Sequence, residues 1–216
     1  KKYPGLLKQI SHPPIVLYCK GEFSDTGTVA IVGTRKADKR ACNIARRISN
    51  DMALHGYTIV SGMAIGIDRE AHLGALEMDG NTLGILANGI DIFYPKINKP
   101  IYDRIVHSRG SALLSEYPPG IFAGKWTFVR RNRIISGLSL GTVVVKAAEK
   151  SGALITANYA LEQNREIFVC PGYSFDNAYS GCNNLIKSGA MLVSNSLDIL
   201  KELNRISKNF DLSKMD

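Results

Sequence analysis

Residues 29–35 have the sequence Val-Ala-Ile-Val-Gly-Thr-Arg, a short apolar and β-branched run that ends at a glycine. Runs of this kind are typical of a buried strand in a parallel sheet. Beyond it, Ile44, Ile48 and Met52 recur at helical spacing and Gly56 ends the pattern, so we predict a helix over about residues 41–55. This strand–helix unit predicts an α/β fold.

The same alternation continues along the chain. We predict further strands at residues 57–60, 83–86, 112–115, 142–145, 167–169 and 191–193, and helices at about residues 68–78, 100–108, 154–163, 185–186 and 197–203. Asp68 is expected to cap its helix, and residues 131–136 to form a short helix or turn. We interpret residues 1–27 as an approach segment or linker, residues 28–205 as one domain and residues 206–216 as a tail.

Composition narrows the possible functions. The chain has 27 Lys and Arg residues against 19 Asp and Glu residues, a formal charge of +8, and this balance attracts nucleic acid. No apolar run reaches the roughly 18 residues that span a bilayer, and the four cysteines lack metal-binding spacing. We therefore expect a soluble, cytoplasmic protein with no metal, no cofactor and no membrane partner. The absence of a dinucleotide fingerprint and of a P-loop argues against NAD binding and ATP hydrolysis.

The loops that follow the strands hold the candidate ligand-binding residues, because ligands bind at the carboxyl ends of parallel strands. Gly33, Thr34, Arg35 and Lys36 follow the first strand and open the densest basic stretch of the chain. A close-approaching backbone, a hydroxyl and a guanidinium together suit a phosphate. The alternative is an ordinary strand-to-helix turn followed by a solvated basic helix face.

Two other strand ends precede a predicted helix N-terminus, which favours anions. They supply Ser61, Gly62 and Gly66 in the first case, and Ser151 and Gly152 in the second. A further segment mixes cations with aromatic side chains that either stack on bases or simply pack in the core; it contains Lys125, Trp126, Phe128, Arg130, Arg131 and Arg133.

Six segments together resemble the DNA-processing protein A family, in order and at the expected spacing between about Leu17 and Leu200. They are VAIVGTR (29–35), VSGMAIGID (60–68), SEYPPG (115–120), RNRII (131–135), SGALITA (151–157) and GCNNLI (181–186). The resemblance implies an extended Rossmann-like domain: a doubly wound, mostly parallel sheet with helices on both faces. It also implies a non-enzymatic homodimer that binds single-stranded DNA and loads the RecA recombinase onto it during natural transformation and recombination.

The resemblance implies a basic pocket in which Arg35 and Lys99 contact phosphates, with weaker support for Arg131 and Arg133, since buried arginines beside a sheet often only brace loops. The complete predicted DNA-binding set is Gly33, Thr34, Arg35, Lys36, Ser61, Gly62, Gly66, Lys99, Arg131, Asn132, Arg133, Ser151 and Gly152. Two alternatives stay open. One is a nucleotide-processing hydrolase of the similar lysine-decarboxylase-like fold, and the other is a scaffold that contacts RecA but not DNA.

Overall fold

The computed structural model describes residues 3–23 and 27–212, with side chains up to residue 205. Within these residues, eight strands form one sheet. They are β1 (Tyr18–Gly21), β2 (Thr28–Val32), β3 (Thr58–Ser61), β4 (Thr82–Leu86), β5 (Ala112–Ser115), β6 (Gly141–Val144), β7 (Glu166–Val169) and β8 (Met191–Leu192).

Eight α-helices connect or flank these strands within the described residues. They are α1 (Gly5–Lys8), α2 (Lys39–Leu54), α3 (Ile67–Glu77), α4 (Lys99–His107), α5 (Lys125–Gly137), α6 (Gly152–Glu162), α7 (Ser180–Lys187) and α8 (Ser196–Leu212). Short 3₁₀ helices precede α4 and α7, at Lys96–Asn98 and Asn177–Tyr179. None of the described helices combines the length and the apolar composition needed to cross a membrane.

The strand order in the sheet is β1-β5-β4-β3-β2-β6-β7-β8. All neighbouring strands are parallel except β1 and β5, which are antiparallel. The chain winds outward from β2 through β3, β4 and β5, and then returns to build β6, β7 and β8 on the other side of β2. The order therefore reverses between β2 and β6, which confirms the predicted α/β class with a doubly wound, mostly parallel sheet. In such sheets the crevice at the reversal is the usual ligand site.

Alternate side chains of β2 project to opposite faces of the sheet, as strand geometry requires. Ala30 and Val32 pack in a core with α1, α5, α6 and α7, whereas Val29 and Ile31 pack in a second core with α2, α3 and α8. All five β2 residues are buried. Burial on both faces explains why this strand is continuously apolar.

Some elements differ from the sequence-based expectations. Part of the expected approach segment joins the sheet, since residues 18–21 pair with residues 112–115, and Leu7 of α1 is buried against α5 and the sheet. Helix α5 begins at Lys125, six residues before the expected short helix. Helix α8 continues to Leu212, beyond the expected end at residue 203 and into the segment interpreted as a tail. Residues 1, 2 and 24–26 of the expected approach segment and residues 213–216 of the expected tail lie outside the described ranges, and the domain boundaries stay a prediction.

Candidate nucleic-acid interface

A cleft of about 400 Å³ lies at the carboxyl ends of β2, β3 and β6, where the strand order reverses. Its walls come from the turn after β2, the loop after β3, helix α5 and the first turns of α6. It brings together eight of the thirteen predicted site residues: Gly33, Thr34, Arg35, Lys36, Arg131, Asn132, Ser151 and Gly152. Segments more than a hundred residues apart in sequence thus meet at one edge of the sheet.

The turn after β2 is held in place by hydrogen bonds from its backbone amides. The Thr34 amide donates to the carbonyl of Lys146 at 2.8 Å, and the Lys36 amide donates to the Thr34 hydroxyl at 3.1 Å. A Cβ at Gly33 would lie 2.6 Å from Ile67 Cγ1, so only glycine lets α3 approach the turn this closely. These contacts fix the backbone and leave the Arg35 and Lys36 side chains exposed beside the cleft.

The loop after β3 is organised by Asp68, although not as expected. Helix α3 begins at Ile67 with Gly66 as its N-cap, so the predicted capping role of Asp68 is wrong. The buried Asp68 carboxylate instead accepts hydrogen bonds from the amides of Gly62 at 3.2 Å and Ala64 at 3.4 Å. Burial raises the pKa of Asp68, and the nearby Arg131 guanidinium opposes this shift. Asp68 therefore shapes the cleft floor from inside the protein.

Arg131 ties α5 to the floor of the cleft. Its Nη1 donates to the carbonyls of Gly62 and Ile85, each at 2.5 Å, while the side chain as a whole is only 3% exposed. Burial lowers the pKa of Arg131 to about 10, so the guanidinium stays charged at neutral pH. A Cβ at Gly62 would lie 2.3 Å from this Nη1, which explains the glycine at that position.

Phe128 provides an aromatic surface between the two arginines of the cleft. The Arg35 Cζ lies 4.8 Å from the centre of its ring, and the Arg131 Cζ lies 6.0 Å from it. Arginine over an aromatic face is a favourable cation–π arrangement. Phe128 is half-buried, whereas Trp126 is 62% exposed and packs edge-on against Tyr117, with ring centres 5.7 Å apart. Neither ring belongs to the central core, which was the alternative considered for this segment.

The N-terminus of α6 lies at the opposite side of the cleft. The Ser151 hydroxyl accepts from the Ala153 amide at 3.3 Å and caps the helix. Asn132 Nδ2 donates to the Gly152 carbonyl at 3.4 Å, which links α5 to this helix start. The positive end of the α6 dipole adds to the charges of Arg35 and Lys36, so the cleft favours anions.

A smaller pocket of about 90 Å³ adjoins the cleft and shares Arg35, Ala64 and Phe128 with it. Gly62 contributes to its wall, as do Tyr94 and Pro95. The Tyr94 and Phe128 rings lie 5.8 Å apart at 49°. The cleft therefore opens onto a second, more apolar and partly aromatic compartment.

Four predicted residues do not line either cavity. The buried Ser61 hydroxyl donates to the carbonyl of Ile31 at 2.6 Å within the sheet, and a Cβ at Gly66 would lie 2.4 Å from the Thr34 carbonyl oxygen. Lys99 Nζ pairs with Asp103 at 2.7 Å on the surface of α4. Arg133 pairs with Glu116 at 2.5 Å on another side of α5.

His72 follows Asp68 by four residues, a spacing that could place an acid and a base side by side, but the fully buried ring instead hydrogen-bonds to Thr82. The Thr82 hydroxyl donates to the Ile59 carbonyl at 2.9 Å, so His72 Nδ1, at 2.7 Å, donates to that hydroxyl. This leaves Nε2 buried without a hydrogen-bond partner. Burial lowers the pKa of His72 to about 3, so the ring is neutral and structural.

Sequence reasoning did not identify several cleft residues. Ala64, Val129, Ile155 and Thr156 carry no charge, and their place in the cleft depends on how the loops fold back. A further missed contact is the ion pair between Lys146 Nζ and Asp38 at 2.5 Å, which joins the ends of β6 and β2. The two residues are 108 positions apart in the chain, so no local pattern marks them as partners.

A family model, sequence relatives and solved structures all relate this chain to the same family. The family described as DNA recombination-mediator protein A matches residues 1–204. The DNA processing protein DprA of Bacillus subtilis is 42% identical over 206 residues, covering 94% of this chain and 69% of the relative.

Two solved structures are similar to this one, each with a TM-score of 0.85. DNA processing protein A of Streptococcus pneumoniae is 39% identical, with 93% of this chain and 70% of that chain covered. The Helicobacter pylori protein, whose structure concerns its single-stranded DNA binding mode, is 28% identical, with 95% and 94% covered.

Proposed function

The chain belongs to the DNA recombination-mediator protein A family, and from this premise we propose that it binds single-stranded DNA in the cleft and delivers that strand to the RecA recombinase. The observation that carries this proposal is the meeting of Arg35, Phe128 and the α6 N-terminus in one cleft. A cation, an aromatic face and a helix dipole are the features that bind a phosphate and stack a base. The family acts on DNA as a recombination mediator, which favours this function over the nucleotide hydrolase.

We assign the phosphate contacts to the residues whose groups reach the cleft. Arg35 and Lys36 supply charge, and Arg donates bidentately to phosphate oxygens. Other polar and backbone groups along the walls complete the contact set, from Gly33, Thr34, Asn132, Ser151 and Gly152. Gly62 serves the adjoining pocket, and Ser61 and Gly66 support the loops from behind.

Lys99, Arg131 and Arg133 take different roles. Lys99 lies on α4, beyond the Tyr94–Pro95 wall of the smaller pocket, so we propose that it meets the strand after it leaves the cleft. Arg131 donates hydrogen bonds from Nη1 to two backbone carbonyls and therefore acts as a positioning residue for the cleft floor. Arg133 is held by Glu116 and braces α5.

The shape of the cleft favours a single strand over a duplex. Phe128 lies inside a concave site beside Arg35, where an unpaired base can stack while its phosphate meets the guanidinium. A duplex holds its phosphates at fixed separation and hides its base faces. We therefore expect duplex binding to be weaker at the same salt concentration.

The test is Arg35→Ala with a labelled oligonucleotide. One lost charge-assisted contact costs on the order of 1–3 kcal/mol, which corresponds to about 5- to 100-fold weaker binding. The salt dependence of log K should also become shallower by about 0.7, the increment for one phosphate of a single strand. Arg109→Ala, a change at an exposed arginine just before β5, serves as the control. If Arg35→Ala folds normally and keeps both affinity and salt slope, the cleft is not the DNA site.

We further propose a cytoplasmic homodimer formed through the carboxyl-terminal half, acting in natural transformation or recombination. The apolar residues of α6 are the candidates for this interface: Leu161 is 68% exposed and Leu154 is half-buried, whereas Ala157 packs in the core and is unavailable. Symmetric association is the commonest oligomeric outcome. Sedimentation at micromolar concentration tests it, since a monomer throughout would contradict the proposal.

Delivery to RecA is tested separately. Purified RecA should bind the immobilised chain, and Arg35→Ala should retain that binding while losing DNA affinity. No RecA binding with or without DNA would leave a DNA-binding protein without the loading role.

A further inference from the structure

A second basic surface begins where the cleft ends. Lys36 lines the cleft, and three residues later α2 begins; an open groove of about 510 Å³ along this helix is lined by Lys39, Arg40, Asn43, Ile44 and Arg47. Three of these five residues are cations and none is an acid. The three charged side chains are exposed. We call this surface the α2 groove.

The α2 groove continues into a deeper cavity of about 450 Å³, to which Ile44 and Arg47 also contribute. Its far wall is formed by the segments that follow β7 and β8, including Pro171 and residues 193–196. Asp51 is the one acid among its lining residues, and its carboxylate accepts a hydrogen bond from the Ser196 hydroxyl at 2.6 Å. Because they share Ile44 and Arg47, the two cavities form one continuous path along α2.

Three other acids near α2, Asp38, Glu70 and Glu77, are already engaged by other cations. Asp38 pairs with Lys146 at 2.5 Å, and this hydrogen bond lowers the pKa of Asp38. On another side of α2, Arg46 holds Glu70 and Glu77, at 2.5 and 3.0 Å. Among the described residues, no ion pair involves Lys39, Arg40 or Arg47. Their charged groups are exposed and are therefore available to a polyanion.

Exposed aromatic side chains lie beside these cations. Arg40 Nη1 donates to the Tyr173 hydroxyl at 3.0 Å, and the Arg40 Cζ lies 5.8 Å from the ring centre. Tyr173 is 69% exposed, and Phe175, two residues along the same loop, is 100% exposed. A cationic groove flanked by exposed aromatic rings is the arrangement that binds single strands without sequence preference.

We propose that the α2 groove is a second contact site for the same DNA strand, binding the phosphates that follow those held in the cleft. Lys39, Arg40 and Arg47 bind phosphates, and Tyr173 and Phe175 stack on bases. Lys39 and Arg47 are eight residues apart in one helix, about 12 Å along its axis, so the site holds more than one nucleotide. This inference rests on the proposed function, because the strand enters from the cleft.

The experiment compares two oligothymidylates of about 6 and 20 nucleotides, lengths that bracket the usual site size of a single-strand binding domain. The variant is Lys39→Ala/Arg47→Ala, which leaves the Arg40–Tyr173 hydrogen bond intact. The control is Lys20→Ala/Arg109→Ala, which removes the same charge from the edge strand β1 and from the turn before β5. Both variants change exposed side chains, and circular dichroism verifies their folding.

The α2 groove variant should bind the 20-mer roughly 10-fold more weakly than the control variant does, with a salt slope shallower by about 1.4, or 0.7 for each lost phosphate contact. Its affinity for the 6-mer should match that of the control. Equal affinity of both variants for the 20-mer would overturn the proposal and would leave the groove for an acidic protein partner instead. Equal weakening of the two lengths would also overturn it, since the cations would then act on the cleft.

The two variants distinguish failure of the α2 groove from failure of the cleft. If Arg35→Ala weakens binding of both lengths and the α2 groove variant behaves as its control, only the second site is refuted. If Arg35→Ala weakens neither length, the proposed function of the cleft fails as well.

Discussion

Replacing Arg131 with methionine should destabilise the protein strongly without changing the salt dependence of DNA binding. Methionine keeps a long apolar stem but removes the guanidinium that donates to the carbonyls of Gly62 and Ile85. Both carbonyls lie on buried residues and are left without this donor. The change also removes the cation that opposes the raised pKa of Asp68.

The magnitude follows from the two hydrogen bonds. Bonds to a charged group contribute about 1.5 to 3 kcal/mol each, so their loss lies at about 3 to 6 kcal/mol. Methionine no longer carries the desolvation penalty of a buried charge, which offsets part of this loss. We therefore expect the free energy of unfolding to fall by about 3 to 5 kcal/mol, within the range for breaking a buried charged network.

The assay is urea unfolding followed by circular dichroism at pH 7, with oligonucleotide binding measured under conditions in which the variant is folded. Arg130→Met is the matched control, because Arg130 is exposed and its pair with Glu116, at 3.2 Å, is worth about 1 kcal/mol or less. DNA affinity of Arg131→Met should fall because the cleft floor shifts, while the salt slope stays unchanged. An unchanged unfolding free energy would refute the bracing role, and a slope shallower by about 0.7 would show that Arg131 binds a phosphate.

Three other changes test separate parts of the structure. Burial lowers the pKa of His72 from 6.5 to about 3, so between these pH values the unfolded chain binds a proton at His72 and the folded chain does not. The contribution of neutral His72 to the free energy of unfolding is therefore complete above pH 6.5 and is lost as the pH falls towards 3. Urea titrations at pH 7 and 4.5 should therefore show that the free energy of unfolding falls by about 3 kcal/mol more in the wild type than in His72→Asn when the pH is lowered; equal falls in the two proteins would contradict the burial effect. Gly66→Ala should lower the melting temperature and weaken DNA binding, because Gly66 has φ +80° and its Cβ would press on the Thr34 carbonyl; a calorimetric scan with no shift would contradict this. Phe128→Leu should weaken oligonucleotide binding by about 5- to 100-fold with an unchanged salt slope, since stacking involves no counterion release; a filter-binding titration measures both quantities, and a shallower slope would contradict the stacking role.

Most strands of the sheet could be predicted because each has a short apolar, β-branched sequence that is recognisable without knowledge of its neighbours. β2 consists of a threonine followed by four apolar residues, β6 ends in two valines, and burial on both faces of a parallel sheet favours such β-branched, apolar runs. β1 was missed because Tyr18–Gly21 places a lysine and a glycine where an apolar run would mark a strand. Its place in the sheet is decided by antiparallel pairing with β5, about ninety residues away, and no local pattern encodes that partner.

Helix α5 was underestimated because its start lacks the usual signals. The residue before it is Gly124, and the first turn is closed by Thr127, whose hydroxyl accepts from the Gly124 amide at 2.9 Å and donates to the Gly124 carbonyl at 2.8 Å. Trp126, Phe128 and Val129 are poor intrinsic helix formers. Tertiary contacts of α5 with the cleft and with α6 override this weak propensity.

The roles of the arginines in α5 could be assigned only once the bounds of that helix were known. Arg131 and Arg133 look equivalent in sequence. Residues two positions apart in an α-helix, however, point in directions about 200° apart around its axis. With α5 extending from Lys125 to Gly137, the two arginines cannot both face the same cavity. Arg131 reaches the carbonyls at the cleft floor, whereas Arg133 reaches Glu116. Asn132, between them in sequence, lines the cleft wall. The sequence therefore predicted the chemistry of this segment, but only the phase of the helix decides which arginine lines the cleft.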